Sequence, residues 1–123
     1  MIFIREFISS MKAGWYSGKG HKATRRGEFG KALQYYEVAA KYEQMSEYCC
    51  PDNNPVTLEC ITRTYARLGN LKEALLVAEN GGELVKRMER NNNLVADSAN
   101  RMEHFIFLLK SGKPDDINKF LAL

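Results

Sequence analysis

Three glycines divide this chain into near-equal parts. Gly27, Gly69 and Gly112 are separated by 42 and 43 residues, and they stand in similar settings: Arg25-Arg26-Gly27-Glu28-Phe29, Arg67-Leu68-Gly69-Asn70-Leu71 and Lys110-Ser111-Gly112-Lys113-Pro114. Glycine adopts the left-handed backbone conformation without steric penalty, so it is the favoured residue just past a helix end. After the first two corners an alanine follows five residues on, Ala32 and Ala74, small enough to let a neighbouring helix come close. A helix-turn-helix signature returning at constant spacing is an internal repeat, and one hairpin of such a repeat cannot bury its apolar face alone. The expected fold is therefore all-α, an array of helical hairpins with about six helices. It forms one domain over residues 1–123, with units at roughly 11–50, 55–91 and 93–123.

The residues around these corners resemble the tetratricopeptide repeat family. In the first unit the matching positions are Gly20, Ala23, Gly27, Phe29, Ala32, Tyr36 and Ala39. In the second they are Leu58, Ile61, Tyr65, Leu68, Gly69, Leu71, Ala74 and Ala78, with Gly81 where the family usually has a small alanine; the third keeps Phe105, Leu108 and Gly112. The family's unit is about 34 residues, so each unit here carries about eight more, and none has the full aromatic-plus-proline pattern. The resemblance implies a superhelix of paired helices with a concave inner surface, working as a non-enzymatic scaffold that binds a partner peptide or helix.

Apolar spacing fills in the helices. Ile4, Phe7, Ile8, Met11 and Trp15 lie on one helical face, and the segment is expected to run on to Arg26, either unbroken or kinked near Gly18. A second helix is expected over Lys31 to Glu47, and Cys49-Cys50-Pro51-Asp52-Asn53-Asn54 reads as a loop. Pro55 suits a first helical position, where its missing N–H has no partner to lose. Asn80-Gly81-Gly82 alone would be a turn, yet Ala74, Ala78, Gly81 and Val85 stay in helical phase across it, predicting one helix from Leu71 to Arg90 with the glycines as a close-contact groove. Asn91-Asn92-Asn93 breaks that helix. Another follows with Ser98, Met102, Phe105, Ile106 and Leu109 on its apolar face, and Pro114 opens a short last one that either folds back on its hairpin or meets another copy of the chain.

Composition excludes several classes of function. A hydrophobic share of 45% with 27% charged residues is that of a folded globular domain. Arg5 and Glu6 interrupt the apolar Met1-Ile2-Phe3-Ile4, so neither a signal-peptide core nor a membrane span is expected. Three cysteines, two of them adjacent, make no disulfide framework, and a reducing, cytoplasmic compartment with no membrane association is the expectation. Cys49 and Cys50 lack the two-residue gap for gripping one metal ion, and His21 and His104 are the only histidines, so no metal or cofactor is expected. Gly14-Trp15-Tyr16-Ser17-Gly18-Lys19-Gly20 fails as a phosphate loop: the glycine spacing is short, Gly20 stands where Ser or Thr would hold magnesium, and no strand precedes it. Cys60 sits mid-helix, where a small buried residue fits, and no catalytic set emerges.

In the family that this chain resembles, ligands contact the inner face of the first helix of each pair. Carried over by position, that face is Ser17, His21 and Arg25, then Glu59, Arg63 and Arg67, then Met102, Ile106 and Lys110. The expected partner-binding set is His21, Arg25, Glu59, Arg63, Arg67, Met102 and Lys110, a mildly basic row suited to an acidic protein or peptide. Two alternatives stand beside it. One is nucleic acid, tracked by Lys19, Lys22, Arg25, Arg26, Arg63, Arg67, Lys86, Arg87 and Arg90 with Trp15, Tyr16 and Tyr65 as stacking planes, although the net charge is only +3 and glutamates are interspersed. The other is a homodimer, built on Phe7, Ile8 and Met11 or on Phe120, Leu121 and Leu123.

Overall fold

The structure, a computed structural model, describes residues 2–45, 55–87 and 93–122. Among these every regular element is a helix: α1 Ile2–Arg25, α2 Phe29–Met45, α3 Pro55–Arg67, α4 Leu71–Arg87, α5 Asn93–Ser111 and α6 Pro114–Ala122. The loop assigned to Cys49 through Asn54 and the end of the helix expected to reach Arg90 lie outside the described residues.

The three glycine corners share a left-handed backbone. Gly27, Gly69 and Gly112 have φ of 75°, 82° and 67°, and they are the positive-φ glycines of the chain. At the first, Glu28 N–H donates to Ala23 O and Gly27 N–H to Thr24 O; at the second, Asn70 N–H donates to Tyr65 O and Gly69 N–H to Ala66 O. This doubled closure satisfies carbonyls that a helix end leaves unpaired. The third corner uses a single bond from Gly112 N–H to Leu108 O.

The helices pack in sequence, α1 on α2, α2 on α3, and so on to α6, with α5 also touching α3. Three apolar clusters form the core. Ala23, Ala32, Tyr36, Ala40 and Ile61 fill the first, Leu58, Ala78 and Met102 the second, and Ala66, Ala74, Phe105, Leu108, Leu109, Ile117 and Phe120 the third. α3 supplies Ile61, Leu58 and Ala66, one to each cluster, so it is the spine on which both outer hairpins lean.

Glycine provides the closest approaches between helices. α1 runs unbroken through Gly14, Gly18 and Gly20, and a Cβ on Gly20 would stand 2.6 Å from the Tyr36 ring. α4 likewise continues through Gly81, where a Cβ would stand 2.6 Å from the Met102 methyl carbon. Absence of a side chain at these positions lets the large residue opposite sit against helix backbone. Leu68, one of the positions that match the repeat family, is 47% exposed because it falls in the turn before Gly69.

Candidate interaction site

The inner face of α3 carries Glu59, Arg63 and Arg67 at intervals of four, stacked along one side of the helix. Glu59 is buried and is the hub of a polar cluster. Arg101 of α5 grips its carboxylate with both prongs, Nε to Oε1 at 2.6 Å and Nη2 to Oε2 at 3.1 Å. Ser98 Oγ donates to Oε2 at 2.9 Å, and Arg63 Nε reaches Oε1 at 3.4 Å. A buried carboxylate is tolerated when its lone pairs are filled in this way. The bond to Glu59 also raises the Arg101 pKa, which holds that guanidinium charged.

Arg63 and Arg67 are occupied by the chain's own last helix. Arg63 Nη1 donates to Phe120 O at 3.1 Å, and Arg67 Nη2 donates to Leu121 O at 2.9 Å. These are among the final carbonyls of α6, which have no acceptor role within the helix and carry the negative end of its dipole. The Arg63 guanidinium also lies 4.4 Å from the Phe120 ring centroid, and that ring stacks on Phe105 at 4.6 Å. Burial, then the neighbouring Arg63 charge, lowers the Arg67 pKa from its usual value. α6 thus folds back, the first of the two outcomes open to it in the sequence, and it does so with its C-terminal end on the α3 arginines.

Beside this contact opens a cavity of about 590 Å³ lined by Glu59, Arg63, Asn100, Arg101, His104 and Phe120. A second, of about 260 Å³, lies between α1 and α3, with Ser17 and His21 on one wall, Thr57 and Cys60 on the other, and Tyr36 and Glu43 between. There the Tyr36 hydroxyl lies 2.9 Å from His21 Nδ1 and 3.3 Å from Thr24 Oγ1, and Thr57 Oγ1 donates to Glu43 at 2.6 Å. Burial, followed by the Arg25 charge, lowers the His21 pKa. Burial first, with help from Glu59, pushes the Cys60 thiol up and keeps it protonated at neutral pH, the form that is a poor nucleophile.

No protein-family model, curated protein or solved structure matches this chain. The site therefore stands on its own geometry.

Of the residues expected along the inner face, the structure gathers some and removes others. Glu59, Arg63 and Arg67 share one face of α3, while His21 and Arg25 stand at the corresponding places on α1, with Arg25 exposed. Met102 does not line an open face. It is 1% exposed, packed with Leu58 and Ala78 beneath Gly81, because the apolar face of α5 points at α3 and α4. Ile106 packs against the same cluster. Lys110 points to α4, where it pairs with Glu79 at 3.5 Å on the surface, away from the α3 row. The residues of α5 that do face the site are Asn100, Arg101 and His104, which the carried-over positions missed by one or two places. A signal was present: Met102 falls among the apolar positions of its own helix, so its polar neighbours were the ones turned outward.

The phosphate-tracking row is interrupted at its middle, since Arg63 and Arg67 are bonded to α6 and Arg63 to Glu59 as well. The side chains of Lys86, Arg87 and Arg90 lie outside the described residues. No described helix is long and apolar enough to cross a membrane.

Proposed function

We propose that this chain is a non-enzymatic interaction module of the tetratricopeptide-like kind, whose binding face is the inner side of α3 together with the adjoining wall of α5. The observation that carries this reading is the pair of bonds from Arg63 and Arg67 to the last carbonyls of α6. Arg63 and Arg67 hold the negative end of α6, with the Phe120 ring against Arg63, so the chemistry of this face is that which recognises the C-terminal end of a helix or an acidic peptide, and the part of it left open is the adjoining cavity. The cavity next to it extends the same chemistry through Asn100, Arg101 and His104. A partner helix lying there would meet donors on two sides and the Phe120 ring at its base.

The test uses positions that line the cavity and donate nothing to the α6 carbonyls, with the His104 ring 5.6 Å from that of Phe120. Asn100→Glu with His104→Glu reverses the character of the α5 wall. The full-length protein and this double variant, immobilised side by side, are exposed to lysate of the native host, with Lys41→Glu on exposed α2 surface as control. The expected result is a partner retained by the wild type and the control and lost by the cavity variant. Equal retention by all three would place the binding surface elsewhere.

A further inference from the structure

α1 is apolar on the wrong side. Its face toward α2 is made of small residues, Ser9, Ala13, Gly20 and Ala23, all buried. Its outward face carries the large ones: Phe7 is 62% exposed, Met11 61%, Trp15 58% and Ile8 45%. These are four of the eight exposed large hydrophobic residues among those described, and they lie on one side of one helix within nine positions. A contiguous apolar stripe held in water by a folded scaffold marks a contact surface. The stripe lies on the first helix of the array and shares no residue with the α3 site, and the inference is independent of that reading.

The charge around the stripe selects the occupant. Between Glu6 and Glu28 the sequence contains no acidic residue, while Lys12, Lys19, Lys22, Arg25 and Arg26 all fall there. Lys12 and Lys19 flank the stripe, and the Lys19 ammonium sits 3.9 Å from the Trp15 ring centroid. Lys22 continues the outward face toward the first corner, and among the described residues no carboxylate pairs with any of these cations. A second copy docked through the same patch would bring like charges together, because a two-fold contact sets a surface against itself. A partner helix is held by a groove between two helices, whereas the four exposed side chains all belong to one face of one helix.

We propose that, contrary to the expectation of no membrane association, which rested on the lack of a spanning segment, the outward face of α1 docks on an anionic lipid bilayer. Tryptophan and phenylalanine enter the headgroup boundary, and the flanking lysines meet lipid phosphates and carboxylates, the arrangement of a helix lying in the interface plane. The apolar stripe is too short to cross a bilayer and suited to resting on one.

Trp15 is the only tryptophan in the chain, so its emission reads this contact without labelling. The full-length protein is titrated with vesicles of phosphatidylcholine alone and of phosphatidylcholine with about 30 mol % phosphatidylserine, at low salt and at about 0.5 M NaCl. The expected result is a blue shift and co-sedimentation with the anionic vesicles only, reversed by salt. Lys12→Glu with Lys19→Glu, and separately Met11→Glu, should weaken vesicle binding at least about tenfold while far-UV circular dichroism is unchanged, since Met11 and Lys12 are exposed and half-buried Lys19 meets only the faces of Trp15, Tyr16 and Tyr35. Absence of a shift with anionic vesicles overturns the proposal, as does an equal shift with neutral ones. A blue shift that follows protein concentration without vesicles, with the solution mass doubling, would assign the stripe to a second copy instead.

Discussion

α1 and α3 are the same helix in two surroundings. Ser17, His21 and Arg25 precede Glu59, Arg63 and Arg67 by 42 residues, and both triads precede a glycine corner by the same distance. In α3 the triad is consumed: Glu59 is gripped from α5, and both arginines hold the end of α6. In α1 the triad stays open, with His21 bonded to Tyr36 of its own hairpin and Arg25 exposed to water. Repeat phase decides the direction in which a side chain points. It does not decide what arrives from elsewhere in the chain to meet it.

The sharpest way to break the comparison is to remove the equivalent pairs. Arg63→Ala with Arg67→Ala deletes two charge-assisted bonds to α6 carbonyls, each worth about 1.5 kcal/mol or more, and uncovers Phe120. The expected loss is about 3 kcal/mol, or a Tm lower by about 10 °C, with amide exchange accelerated first in α6. His21→Ala with Arg25→Ala, at the matching positions, should cost less than about 1 kcal/mol, because one half-exposed hydrogen bond and one free cation are lost. Equal shifts in Tm for the two pairs would mean that α6 is not held by the α3 arginines.

How much of this was legible in the sequence follows from the range of the interactions. The corners at Gly27, Gly69 and Gly112 are local, closed by hydrogen bonds spanning three to five residues, so composition and spacing alone reveal them. The passage of α4 through Gly81 was legible for a similar reason, since Ala74 and Ala78 kept their helical phase up to it. The bonds that build the site span 39 to 57 residues, from Glu59 to Ser98 and from Arg63 to Phe120. Nothing local to α3 says that a nine-residue helix will turn back onto its arginines; Ile117, Phe120 and Leu121 declare only that α6 has an apolar side. Met102 was misplaced because one position on a helix turns a side chain by about 100°, enough to exchange a core residue for its exposed neighbour Arg101.

Two glycines make a second, smaller comparison. A Cβ at Gly20 and a Cβ at Gly81 would each stand 2.6 Å from the atom opposite, yet the atoms differ in freedom. At Gly20 the obstacle is the Tyr36 ring, with Cε1, Cδ1 and Cζ all within 2.9 Å and the hydroxyl close to His21 Nδ1 and Thr24 Oγ1. At Gly81 it is the terminal methyl of Met102, an end that three rotatable bonds can swing aside. Alanine gains up to about 1 kcal/mol of helix propensity at either site, against an overpacking cost of about 1–3 kcal/mol where nothing yields. Gly20→Ala should therefore lower stability by about 1–2 kcal/mol, and Gly81→Ala should stay within about 1 kcal/mol of the wild type in urea unfolding. The reverse order would show that the α1–α2 contact is the looser of the two.

The smallest effect lies at His21, where α1 has an imidazole and α3 has an arginine. Burial and the Arg25 charge hold the folded-state pKa of His21 below the unfolded value of about 6.5. As pH falls through that unfolded value, the unfolded chain takes up a proton that the folded chain resists. Stability contributed by neutral His21 is thus fully present above about pH 6.5 and is lost as pH falls toward the folded pKa. Tm should drop between about pH 7.5 and pH 5.5 by more in the wild type than in His21→Asn, whose side-chain amide can still meet the Tyr36 hydroxyl without titrating. Arg25→Gln should shrink the same drop by a smaller amount, since the Arg25 charge is the lesser of the two causes. A pH slope that is the same in the wild type and in His21→Asn would assign the proton to another group.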